Sequence, residues 1–177
     1  MKDSGVEWLG EIPAYWEVKK VKRLCLVRRG ASASLGTRLG KSKSVALEPG
    51  ELFVSIAATV GKPVITKIKC CIHDGFAYFV GLRENREFLF YLFSCGEPYK
   101  GLGKLGTQLN LNTDTIGDIY LPRPSDAEQE TIVQFLDRET ARIDALVAKV
   151  RDAIDHLKEL RTALISGAVT GKIDVRS

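Results

Sequence analysis

Proline and glycine are missing from most of the last third of this 177-residue chain. Between Asp126 and Ala168 there is no proline, and the only glycine is Gly167. Their absence excludes tight turns there and predicts one uninterrupted helix. Histidine is scarce too, with only His73 and His156, so a histidine-built metal centre is not expected. The four cysteines, Cys25, Cys70, Cys71 and Cys95, contain no C-x-x-C pair. That spacing argues against zinc and against a disulfide framework, and it fits reduced thiols in a cytoplasmic protein. No run of 18 apolar residues occurs, so no membrane span is expected. No charged-then-apolar segment opens the chain, so no secretory signal is expected.

The parts of an enzyme are absent as well. Gly101-Leu102-Gly103-Lys104-Leu105-Gly106 spells G-x-G-x-x-G, but a helical pattern precedes it and a strand-like one follows. Dinucleotide binding needs the reverse order. His73-Asp74 has no nucleophile to activate, and no two carboxylates are spaced for joint work. Neither a methyl-donor glycine motif nor an Asn/Asp-Pro-Pro-aromatic segment for an extruded base is present. The chain therefore reads as a binding and assembly protein with no cofactor of its own.

What is present is a long apolar periodicity. In heptads, Val133, Thr140, Val147, Ile154, Arg161 and Ala168 take one seam position, and Leu136, Ile143, Val150, Leu157 and Leu164 take the other. A helix of about 43 residues is roughly 65 Å long. A small domain cannot cover a stripe of that length, so a partner helix is expected; the alternative is a helix folded back on its own domain. Thr140 and Arg161 are polar seam members. Arg161 either pairs with an acid on the facing helix or lies at the edge with its charge in water.

Charge is unevenly distributed. Residues 1–123 hold 18 Lys and Arg against 12 Asp and Glu, whereas residues 124–177 hold 8 against 10. Lys19, Lys20, Lys22, Arg23, Arg28, Arg29, Arg38, Lys41 and Lys43 follow one another with no acid between them. A run like this either draws a polyanion such as DNA or is a solvated face.

The expected organisation is a mixed α/β domain over 1–123 and a helix over 124–177. The domain should hold a small twisted sheet and the helix should be of coiled-coil type. Trp8, Ile12 and Trp16 anchor the opening. Trp16–Leu24 is a strand with one wet face or a short helix. Arg29–Lys43 is loop. Strands are expected at Glu51–Ile56, Pro63–Ile68 and Phe76–Val80, with a turn at His73-Asp74-Gly75. Asn85–Cys95 is a helix stopped by Gly96 and Pro98. A short strand is expected around Leu109–Leu111, and another at Ile119–Leu121 ended by Pro122. Ser125 and Glu128 form a capping box at the start of the long helix.

Two stretches resemble one family. Gly5-Val6-Glu7-Trp8-Leu9-Gly10-Glu11-Ile12-Pro13, with Trp16 and Lys19-Lys20 behind it, is similar to the opening of a recognition domain in the specificity subunit of type I restriction–modification systems. The second stretch begins at Leu121-Pro122, with Glu128-Gln129, Ile132–Asp137 and Glu139–Asp144. It closes with Arg161-Thr162-Ala163-Leu164-Ile165-Ser166-Gly167-Ala168-Val169-Thr170-Gly171-Lys172-Ile173-Asp174-Val175 and is similar to that family's conserved helical region. Gly50–Ser55 and Gln108–Leu111 fall where the family has similar segments. A full subunit has two recognition domains and two helical regions; this chain has one of each, and its stretch from Val21 to Glu51 is short.

The resemblance implies a half-length DNA-recognition subunit that binds one half of a bipartite target. It would pair through its helix as a homodimer and recruit a methyltransferase subunit, and through that a restriction subunit. S-adenosylmethionine would belong to the methyltransferase. Arg28, Arg29, Arg38, Lys41, Lys43, Lys100 and Lys104 would hold phosphates, and Gln108 and Asn110 would face base edges. Val133, Leu136, Ile143, Val147, Val150, Ile154, Leu157 and Leu164 would meet the partner helix. The alternative is a truncated assembly or regulatory protein that pairs through its helix but no longer reads DNA.

Overall fold

In the computed structural model, residues 1–31, 44–57, 59–100, 102 and 111–174 are described. Their strands are β1 (Lys2–Asp3), β2 (Glu11–Ile12), β3 (Glu17–Lys20), β4 (Leu26–Arg29), β5 (Val45–Leu47), β6 (Leu52–Ser55), β7 (Pro63–Ile65), β8 (Cys70–Ile72), β9 (Phe76–Val80) and β10 (Tyr120–Arg123). Their helices are α1 (Val21–Leu24), α2 (Arg86–Ser94), α3 (Thr113–Asp118) and α4 (Asp126–Val169), with a 3-10 turn at Glu97–Tyr99. The chain divides into two compact units, Met1–Val133 and Gln134–Ser177. The first unit is the head and the second is most of the helix.

The head is built on an antiparallel sheet of order β4-β9-β6-β7. All four residues of β6 are buried, because the sheet has a core on each face. Leu52 and Val54 of β6, with Ala77 and Phe79 of β9, join the larger core against Phe88, Leu89, Phe93 and Ile116. Phe53, one residue out of phase, faces a smaller core with Leu47 and Ile72. Those two residues come from the separate antiparallel pair β5–β8. The strand period of two thus sorts one continuous apolar run onto two faces.

The Trp16–Leu24 stretch is both of its alternatives in turn, strand β3 and then helix α1. β3 pairs with β10, and the register Pro122↔Val18 carries the strand past the proline expected to end it. Among the described residues β10 pairs with β3 alone, so the missing N–H of Pro122 interrupts no central ladder there. The expected strand at Leu109–Leu111 lies mostly outside the described residues, and Leu111 itself is buried coil. Helix α3 follows it unanticipated. Asn112 caps it, accepting the Thr115 N–H at 2.7 Å.

The long helix starts as the capping box dictates. The Ser125 N–H and hydroxyl donate to Glu128 Oε2 at 3.0 and 2.7 Å, and the Glu128 N–H donates back to Ser125 Oγ at 3.4 Å. Its far end closes by hydrogen bonds from Lys172 N–H to Gly167 O and from Gly171 N–H to Ala168 O, with Gly171 left-handed. The returning Ile173 explains Gly167: a Cβ there would come within 2.8 Å of Ile173 Cδ1.

The head extends beyond the boundary expected at 123, because the first turns of α4 belong to its core. Val133 is 7% exposed and sits in the larger core, with Ile132 packed against it. This corrects the assignment of Val133 to a partner-facing seam: the head itself consumes that position. Within the second unit the other seam residues behave differently. Ile143, Val147, Val150, Ile154, Leu157 and Leu164 are exposed, and so are Leu146, Leu160 and Ile165. Leu136 is half-buried.

Candidate nucleic-acid interface

Several loops of the head converge on one end of its sheet. β4 runs out there through Arg28 and Arg29 into Gly30, whose N–H donates to Phe76 O at 2.8 Å. Only glycine fits at 30, since an added Cβ would overlap the carbonyl oxygen of His73 and lie 2.7 Å from its carbonyl carbon. The β8–β9 turn, His73-Asp74-Gly75, is thereby clamped to the end of β4. Arg29 strengthens the clamp, donating from Nε to Asp74 O at 2.6 Å and lying 3.7 Å from the Asp74 carboxylate. The β6–β7 hairpin tip arrives beside the same turn, where the Ile56 N–H donates to Gly75 O at 2.8 Å. On the tip's other side Gly61 lies against the ring of Tyr99, which stacks on Phe93. Burial pushes the Tyr99 phenol well above its ordinary range.

The basic run is less free than its sequence implies. Lys19 pairs with Glu17 at 2.7 Å, and Lys20 and Lys22 each reach Asp118 at 2.8 Å. The hydrogen bonds from Lys20 and Lys22 hold the Asp118 carboxyl down to about 2. Arg29 is engaged by Asp74. Arg28 is exposed and has no ion pair among the described residues. It stands opposite Tyr78, which stands opposite Phe53, which stands opposite Val64. Directly paired residues share a face, and three strand spacings put Arg28 and Val64 on the order of 14 Å apart.

Of the other expected contact residues, Lys100 is described and its ammonium pairs with Glu97 at 2.7 Å. It lines a cavity with Val6, Glu7, Trp8 and Glu97, whose two carboxylates disfavour a phosphate. Arg38, Lys41, Lys43, Lys104, Gln108 and Asn110, and most of the G-x-G-x-x-G segment, lie outside the described residues. Sequence reasoning passed over Lys62 and Thr59 on the hairpin tip and took His73 for a bare turn residue. No local signal marks the tip, because β6 and β7 look like two plain strands.

A second constellation anchors the start of α4 within the head. Gln129 is 1% exposed; its amide donates to Glu84 Oε2 at 2.7 Å and to Pro124 O at 3.2 Å, and its oxygen accepts the Asn85 N–H at 3.0 Å. Arg123 Nε donates to the other oxygen of Glu84 at 2.8 Å, and that bond raises the Arg123 guanidinium further. Trp16 Nε1 donates to Glu128 at 3.2 Å. The Ser125 hydroxyl and N–H, aided by Trp16 and Tyr15, hold the Glu128 carboxyl down to about 2. Burial pushes the Cys25 thiol up to about 12, which makes it an inert core group and no nucleophile. Among the described residues no three His, Cys, Asp or Glu side chains cluster to hold a metal, and no helix is long and apolar enough to cross a membrane.

The chain thus joins a head built on antiparallel strands to one long helix. Residues 27–156 match the type I restriction modification DNA specificity domain, and the chain belongs to that family. Over 67 residues it is 36% identical to the EcoBI specificity subunit of Escherichia coli, an alignment covering 38% of this chain and 14% of that protein. Three solved structures share its fold. A chain from the structural work on complex assembly and conformational transition of the type I R-M system has a TM-score of 0.75 and 22% identity, over 90% of this chain and 47% of its own length. The HsdS subunit from Thermoanaerobacter tengcongensis has a TM-score of 0.66 and 22% identity, over 93% and 47%. The S subunit from M. genitalium has a TM-score of 0.56 and 12% identity, over 78% and 43%. The chain spans less than half the length of each of these relatives.

Proposed function

We propose that this chain supplies one DNA-recognition head and one helical region of a type I specificity subunit. Its head binds one half of a bipartite DNA target, and the part of its long helix beyond the head pairs with a second copy and docks a methyltransferase subunit. The methyltransferase supplies the methyl donor and the catalytic groups and carries the restriction subunit; this chain contributes recognition and assembly in the cytoplasm. The observation that supports the reading most is the exposed stripe on the second unit, joined to the family match over residues 27–156. Soluble chains rarely leave a contiguous apolar strip of that size open to water.

The stripe is also wider than the two seam positions. Leu146 and Leu160 precede Val147 and Arg161 by one residue, with Ala153 between them in the same phase. A third apolar row supports coverage by more than one helix, hence both a second copy and a methyltransferase helix. Two identical halves related by a two-fold axis prefer a target with the same symmetry, a bipartite palindrome. Arg28, with Arg38, Lys41, Lys43 and Lys104, sets the head on phosphates, and Gln108 and Asn110 are candidates for base edges.

Co-expression with the cognate methyltransferase subunit tests the proposal. A stable complex that methylates one defined bipartite sequence is the expected result. A complex that assembles but binds no duplex even at low salt replaces DNA reading with the purely assembling role.

A further inference from the structure

Among the described residues, the cavity at the convergent end of the head differs in composition from the cavities beside Lys22 and Lys100. It encloses about 270 Å³ and is lined by Ser55, Thr59, Lys62, Val64, His73 and Phe76, together with Ala57 and Gly75. No carboxylate lines it. The cavity beside Lys22 carries Asp114 and Asp118, and the one beside Lys100 carries Glu7 and Glu97.

Two of its polar groups are held ready. The Gly75 N–H donates to His73 Nδ1 at 2.9 Å. The neutral ring therefore carries its proton on Nε2, which has no acceptor among the described residues. The ring also packs edge-on against Phe76, with centroids 4.7 Å apart, so its orientation is set although most of the side chain is exposed. Lys62 is exposed and forms no ion pair among the described residues, and its backbone carbonyl accepts the Ser55 N–H at 2.9 Å. The nearest acid in sequence, Asp74, has one carboxylate oxygen 3.7 Å from Arg29 and the other 3.6 Å from His73 Nδ1, on the side of the ring away from Nε2.

We propose that this cavity seats one strand of the sugar–phosphate backbone of duplex DNA. The Lys62 ammonium pairs with a phosphate, His73 Nε2–H donates to a phosphate oxygen, and Val64 and Phe76 lie against the deoxyribose. The inference rests on the reading of the head as a DNA-binding module and assigns it a contact surface outside the basic run. Arg28 lies on the same sheet face as Val64, on the order of 14 Å across it.

The test is affinity for a duplex as a function of salt, using the full chain. Lys62→Ala should weaken binding about tenfold near 0.1 M salt, equally on all sequences, and reduce the log–log salt slope by about 0.9. His73→Phe keeps an aromatic ring over Phe76 but removes the donor; it should weaken binding a few-fold. Lys20→Ala, at a lysine already held by Asp118, should leave the slope as it is. If the parent chain binds DNA and Lys62→Ala and His73→Phe bind identically, the cavity assignment is wrong while DNA reading stands. If all three variants shift the slope alike, the effect is bulk charge and the assignment is also wrong. A parent chain that binds no duplex at low salt overturns both.

Discussion

Replacing Gln129 by alanine removes three hydrogen bonds at once from a site with no access to water. The Asn85 N–H loses its acceptor, the Pro124 carbonyl loses its donor, and Glu84 Oε2 loses the amide that faced it. A buried group stripped of its partner costs about 1–3 kcal/mol. Glu84 keeps Arg123 on its other oxygen, so its loss falls at the low end. The two backbone groups lie at the start of α2 and just before α4, where small shifts can admit water to some of them. The sum is about 3–4 kcal/mol, a large part of the stability of an ordinary domain. At about 2–4 °C per kcal/mol the melting temperature should fall by roughly 10 °C. Trp16, bonded to the neighbouring Glu128, gives a fluorescence signal for urea unfolding of the head. A stability change below about 1 kcal/mol, read as the midpoint shift times an unchanged slope, would refute the reasoning and place Gln129 among ordinary surface residues of a helix.

Gly30→Ala forces a methyl group onto the carbonyl of His73, and neither backbone can retreat without parting β4 from β9. It should cost about 1–3 kcal/mol by denaturant titration, a steric penalty of the size found for overpacking. Glu128→Gln should destabilise the head near neutral pH and lose its effect in acid. The Glu128 carboxyl falls from 4.5 unfolded to about 2 folded, so its contribution is complete above about 4.5 and disappears as pH drops through 2. Melting curves of the two proteins should converge toward pH 2; a constant gap across that window would contradict the assignment.

Much of this architecture can be read from residue order. The long helix follows from missing prolines and glycines, its start from Ser125 and Glu128, and β6 and β9 from short apolar runs between turn residues. What escapes is non-local or locally weak. Helix α3 contains Gly117 and two β-branched threonines, so its propensity is poor, and only the Asn112 cap announces it. The β5–β8 pair joins strands of three residues each, and nothing local ties Val45 to Ile72. Gln129 is polar on an amphipathic helix, where periodicity places it in water, yet Glu84 draws it into the core. The basic run misleads for the same reason. Asp74 and Asp118, which quench half of its described lysines and arginines, are far away in sequence.

The account depends on the exposed stripe of the second unit finding another helix to cover it. The direct measurement is the mass of the full chain in solution, by sedimentation equilibrium, beside that of Val150→Asp. Val150 is 58% exposed in the single chain and lies at the centre of the stripe. An aspartate there must bury an unpaired charge on pairing, a cost of about 3 kcal/mol or more, at least a hundredfold in dissociation constant. The account predicts twice 19.5 kDa for the parent chain, and 19.5 kDa for Val150→Asp with the tryptophan signal of its head intact. A parent chain that stays at 19.5 kDa at high concentration and also fails to bind its methyltransferase would contradict it.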